Sequence, residues 1–178
     1  MMNDQLLNLL YKENEAHELY EQANREQIER TERELNFELP VSYREFVSKL
    51  SNGAYLYGVQ EVSSVGDGNH QIYPIQHLYK QLNIAAPFQK VTISDNKDIL
   101  LSELVPFSLD HNGNAWCFIG DQLIKGEYRV GYLNRENYQL YGVLANFTEW
   151  IKILINYKEE VIRQLYDDDF LCNELSLG

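Results

Sequence analysis

The stretch from Leu104 to Asp121, Leu-Val-Pro-Phe-Ser-Leu-Asp-His-Asn-Gly-Asn-Ala-Trp-Cys-Phe-Ile-Gly-Asp, narrows what this chain can become more than any other. Two apolar arms rich in aromatic and β-branched residues flank Asp110-His111-Asn112-Gly113, whose Asn-Gly pair tolerates the positive φ that tight hairpins require. The pattern predicts a β-hairpin. In its second arm Trp116 and Phe118 share one face while Ala115, Cys117 and Ile119 share the other, so neither side suits water and the strand is central. Pro106 cannot donate to a ladder, which places it at a strand start or on a free edge.

Helices are expected on either side of this hairpin. Leu6, Leu9, Leu10, Glu13, Ala16, His17 and Tyr20 form one helical stripe over residues 4 to 22, apolar at its start and polar in its middle. Asn24 and Gln27 have capping-box spacing and open a second helix carrying Ile28 and Leu35, which Asn36 closes in the left-handed conformation. Pro40 opens a third, with Tyr43, Phe46, Val47 and Leu50 as its buried stripe and Asn52-Gly53 as its stop.

Alternation over Ala54 to Val59 predicts a strand, Gly66 to His70 a loop, and Ile75, Leu78, Tyr79 and Leu82 a short helix within Ile72 to Asn83 that is over by Pro87. Asp95 to Leu104 is ambiguous. Tyr128 to Leu133 alternates and pairs as the next strand of an antiparallel meander. Asn146 and Glu149 cap a long last helix from Phe147 to about Tyr166, ended by Asp167-Asp168-Asp169, where like charges oppose the helix dipole and the tail frays. The sum is an α+β fold: a mainly antiparallel central sheet, helices packed on one side, and a long C-terminal helix. At 178 residues one domain over 1–178 is the expectation.

Charge narrows the partners. The net charge is −12, with nine acids against four bases in residues 1–34 and six against two in residues 157–178. Such a surface repels phosphate backbones and anionic headgroups, which argues against direct nucleic-acid or membrane binding and favours a basic protein partner. Cys117 and Cys172 make no disulfide framework and read as free thiols in a reducing compartment. With neither a signal-peptide pattern nor a membrane-length apolar run, a cytoplasmic location is expected.

Catalytic and metal signatures are missing. His17, His70, His77 and His111 lack ligand spacing, no Cys-x-x-Cys occurs, and no phosphate-binding loop or nucleophile elbow is present. Asp110-x-Asn112-x-Asn114 with Asp121 resembles a calcium loop only superficially, because Ala115 stands where such a loop needs glycine and an apolar strand follows. No catalytic residue, metal ligand or cofactor is therefore assigned. The thirteen tyrosines suit a contact surface, or a core from which their hydroxyls reach water.

Taken in order, the charged helix with Ile28 and Leu35, Leu39-Pro40-x-x-Tyr43-Arg44-x-Phe46-Val47, Asn52-Gly53, Val105-Pro106-Phe107, Asp110, Gly113-Asn114-Ala115-Trp116-Cys117-Phe118, Val130 and Asn146-Phe147-Thr148-Glu149-Trp150 resemble the SUKH superfamily. That group includes the fungal Smi/Knr regulators and many bacterial toxin-immunity proteins. The resemblance spans roughly residues 25–155 and leaves residues 1–24 as an additional N-terminal helix and 167–178 as an acidic tail. It implies a non-catalytic α+β binding module. In bacteria it implies a cytosolic immunity protein that binds and neutralises a cognate polymorphic toxin, often a nuclease; the acidic charge then suggests neutralisation by covering a basic active site. The loop acids Asp67, Asp95, Asp98, Asp110 and Asp121 are the candidate contacts. The rivals are a regulatory interaction module without a toxin and, behind it, a hydrolase with an unmarked acidic site.

Overall fold

The computed structural model describes residues 2, 4–58, 60–84, 86, 88–93 and 97–164, the last eight for their backbone alone. Among them the elements run α1 (Asp4–Lys12), a 3-10 turn (Asn14–Ala16), β1 (Glu18–Leu19), α2 (Arg25–Leu35), α3 (Val41–Lys49), β2 (Ala54–Leu56), β3 (Gln60–Val62) and α4 (Ile75–Asn83). There follow β4 (Lys90–Thr92), β5 (Asp98–Leu100), a second 3-10 turn (Leu101–Glu103), β6 (Leu104–Leu109), β7 (Ala115–Ile119), β8 (Val130–Asn134), β9 (Gln139–Leu144) and α5 (Phe147–Gln164). Asp95, Cys172, the acid triplet at 167–169 and the rest of the 165–178 tail lie outside the described residues.

The strands form two sheets. A small antiparallel one has the order β1-β2-β3, and a six-stranded one has the order β5-β4-β9-β8-β7-β6. The predicted hairpin is β6-β7, with Gly113 at φ +81° in its turn, and β7 lies inside the sheet as its two-sided apolarity requires. Pro106 sits on the edge strand β6, and a register shift follows it before Ser108. The expected mainly antiparallel arrangement holds, with one parallel pairing. The six-stranded sheet is mixed, since β4 lies parallel to β9 while its other pairings are antiparallel.

Both faces of β7 are buried, as its alternation predicts. Trp116 and Phe118 join a large core with Tyr43 and Phe46 of α3, Phe107 of β6 and Phe147 and Trp150 of α5. Phe107 stacks on Phe118 at 4.4 Å between centroids and meets Trp150 edge-on at 5.0 Å. Each such aromatic contact adds about 0.5–1.5 kcal/mol beyond the burial of its area. Ala115, Cys117 and Ile119 enter a second core with Leu133 and Leu140, closed by Val91, Ile93 and Ile99 of the β4-β5 region and by Leu82. The helices are thus not confined to one side. α4 contributes Ile75 to the first core and Leu82 to the second, while the sheet's own margin covers the remainder of the second face.

Three local expectations change. The helix expected over residues 4–22 stops at Lys12, because the apolar part of its stripe ends at Leu10; the chain then pairs Glu18 with Tyr55 and Leu19 with Ala54. The strand expected over Ala54 to Val59 ends at Leu56: the chain turns at Tyr57 (φ +52°) and Gly58 (φ +69°), and Gln60–Val62 folds back to pair with it. The helix expected from Ile72 begins only at Ile75, after Pro74. The α2 capping box and the left-handed Asn36 (φ 48°) are as predicted.

A candidate partner-binding face

The described candidate acids are engaged locally. Asp67 is exposed and pairs with Arg30 at 2.9 Å. It is held there by Gly66, which takes φ +70°, donates its N–H to Thr31 Oγ1 at 2.8 Å and accepts from Gln76 Nε2 at 2.6 Å. Asp98 is exposed on β5 and accepts from the Thr92 hydroxyl at 3.1 Å.

Asp110 organises the hairpin turn. Its Oδ1 accepts from the backbone of Asn112 (2.8 Å) and Asn114 (2.9 Å), and its Oδ2 from the Tyr132 hydroxyl at 2.5 Å. Those contacts also account for the calcium-like spacing, as the oxygens that would ligate an ion serve the turn. Among the described residues no group of three or more His, Cys, Asp or Glu is arranged to hold a metal. Asp121 faces inward with a side chain only 7% exposed, between Lys97 at 2.8 Å and Arg129 at 3.0 Å. Burial alone would raise its carboxyl, but Lys97 and Arg129 outweigh that and hold it below the ordinary carboxylate range.

A different set of residues forms one continuous face. Register places Glu18, Tyr55 and Glu61 side by side across β1, β2 and β3, because Glu18 opposes Tyr55 and Tyr55 opposes Glu61. Residues opposed in this way point to the same side of a sheet with Cβ atoms about 4.5–5.5 Å apart. The alternating residues Ala54, Leu56 and Val62 point into the core, so the Glu-Tyr-Glu row faces outward. Beside it the Tyr20 hydroxyl lies 3.1 Å from Glu18 Oε2 and 3.2 Å from Gln71 Oε1, free to donate to either. Burial, the bond to Glu18 and the charges of Glu18 and Glu61 push the Tyr20 phenol up.

At the other end of the row the hairpin tip brings His111 near Glu61. Burial raises the Glu61 carboxyl and His111 partly offsets this. One Glu61 oxygen is buried without a hydrogen-bond partner, and neither Glu18 nor Glu61 has a Lys or Arg within ion-pair distance among the described residues. The face is therefore anionic and tyrosine-bearing, with one carboxylate already part-desolvated and, among the described residues, paired with no Lys or Arg.

Sequence reasoning chose acids from loops and missed Glu18 and Glu61, which stand 43 positions apart and meet only through Tyr55. The legible signal was the alternation Gln60-Glu61-Val62, where a charge is flanked by inward-pointing residues. The tyrosines differ in burial, and the most buried does not send its hydroxyl to water. Tyr43 is fully buried and donates to Ser63 O at 2.7 Å, whereas Tyr11 and Tyr73 are exposed and Tyr20 and Tyr55 are half-buried on the outward face.

The α+β scaffold thus displays an outward acidic face on its small sheet. The SMI1 / KNR4 family (SUKH-1) model matches residues 22–153, and the chain belongs to that family. The family includes toxin-immunity proteins. A comparison with curated proteins found no match. Among the described residues no helix is long and apolar enough to cross a membrane.

Proposed function

We propose that this chain is a cytoplasmic immunity protein, without catalytic activity, that binds a cognate toxin and neutralises it by occupying a basic active-site cleft, most simply that of a nuclease. The outward row Glu18-Tyr55-Glu61, flanked by Tyr20, carries this reading beyond family membership. A cleft built for nucleic acid is lined with Lys and Arg. An anionic sheet offers such a cleft the charge it was made for, and tyrosines add contact area at low entropic cost. Glu61 sharpens the case, since a partly buried carboxylate short of a hydrogen-bond donor is stabilised by an incoming guanidinium. Asp67, paired with Arg30, and Asp98, on the opposite margin of the six-stranded sheet, lie outside this row.

The test is co-expression with a toxin encoded by the adjacent open reading frame. Growth should be rescued by the wild-type chain and lost with the double variant Glu18→Lys, Glu61→Lys, while both chains accumulate equally as folded protein. Rescue undiminished by the double variant would remove this face from the proposal. Absence of any rescue or co-purification would remove the toxin.

A further inference from the structure

On the far side of the same hairpin turn lies a groove of different chemistry. Leu78, Gln81 and Leu82 of α4 face Pro106 and Leu109 of β6, with Gly113 and Arg135 at the end, around a volume of about 190 Å³. That is below the roughly 300–1,000 Å³ of pockets that enclose a small-molecule ligand, and fits a single protruding side chain. Strand addition is not the way to fill it, because Pro106 offers no N–H on this edge and the register breaks just beyond.

Arg135 is the one charged residue of the lining. Its backbone N–H donates to Asn114 Oδ1 at 3.0 Å, which ties it to the hairpin, and its guanidinium reaches within 3.8 Å of where a side chain on Gly113 would begin. Among the described residues that guanidinium has no ion pair or side-chain hydrogen bond, in a chain with 27 acids and only 15 Lys and Arg. A planar guanidinium at the rim of an apolar slot, with no acid paired to it among the described residues, complements an apolar side chain that has a carboxylate beside it.

We infer that this groove is an anchor site for a partner-protein segment in which an apolar side chain enters between α4 and β6 and an adjacent carboxylate pairs with Arg135. The inference rests on the reading of the chain as a protein-binding module and deepens it. The hairpin tip then has a cation-seeking face on the Glu61 side and an anion-seeking anchor on the Gly113 side, so a partner must match both signs in one orientation.

The probes are acetyl-Leu-Glu amide and acetyl-Leu-Gln amide, titrated into the full-length 15N-labelled chain. Both should shift the amides of Leu82, Leu109, Gly113 and Arg135, and the Glu form should bind about three- to fivefold more tightly, the range of a solvent-exposed ion pair. Arg135→Gln should erase that preference while leaving the Gln form within about twofold, and Gln81→Glu, which places an acid at the mouth, should weaken the Glu form selectively. Both positions are exposed, and matching thermal unfolding verifies the variants. No shifts, shifts elsewhere, or equal binding of the two probes would overturn the anchor. Shifts of the same amides with protein concentration alone would make a second copy the occupant and overturn it too. A chain that still rescues growth while failing here keeps the immunity reading and loses only the groove.

Discussion

His17 couples the N-terminal segment to the rest of the chain through a single protonation state. Its Nδ1 accepts the Tyr57 N–H at 3.1 Å, the Tyr57 ring meets it edge-on at 4.4 Å, and the Tyr57 hydroxyl donates to Glu13 at 2.7 Å. Acceptance at Nδ1 requires the neutral ring. Burial pushes its pKa below 6.5, against smaller raising effects from Glu13 and Ala16. A histidine depressed in the folded state contributes stability that is complete above its unfolded value and is lost as pH falls through the folded one. The wild-type urea midpoint should therefore drop, relative to His17→Gln, as pH goes from 7 to below 6.5. The comparison with the variant isolates His17 from other groups that respond to falling pH, such as Glu61, whose carboxyl burial raises above 4.5. A pH-independent difference would show that protonation of His17 is not linked to folding. Tyr43 offers a simpler measurement. Tyr43→Phe removes the buried hydroxyl from Ser63 O and should cost about 1–3 kcal/mol in chemical denaturation, with little change in the m-value.

At the level of elements, what could be read from sequence was what neighbours in sequence decide. The α2 caps, the α3 stripe and the β6-β7 hairpin each rest on residues a few positions apart, and all three formed as expected. β1, β3, β4 and β5 are two or three residues long, and their partners lie elsewhere in the chain; nothing within so short a segment encodes that pairing. The outward face inherits this opacity, because it exists only once β1 is laid against β2. Gly66 shows how one backbone position serves two elements. An added Cβ would stand 2.9 Å from Gln27 Cγ on α2, at a φ of +70° that other residues resist. Gly66→Ala should therefore destabilise by more than the 0.4–1 kcal/mol that such a change contributes at a compatible site, roughly 2 kcal/mol in all, and should loosen the Arg30–Asp67 pair. Equilibrium unfolding gives the first effect. The side-chain 15N signals of Arg30 give the second.

For the whole molecule, the charge of −12 acts on kinetics more than on affinity. Association with a basic toxin domain should be fast at low ionic strength and slow by about tenfold between 0.05 and 0.5 M salt, as the Debye length shrinks from roughly 14 to 4 Å, while dissociation changes little. Stopped-flow mixing measures both rates, and an on-rate indifferent to salt would refute charge steering. Glu18→Gln with Glu61→Gln should flatten the dependence only in part, since most of the 27 acids remain.

The margin of the large sheet at β6 has a further consequence. Pro106 withholds a donor, the register shift disturbs the spacing, and the Phe107 carbonyl is already taken by Ser63 N–H at 2.8 Å. That border is a poor template on which another polypeptide could crystallise its backbone, so accumulation to high abundance carries little risk of fibrils nucleating there.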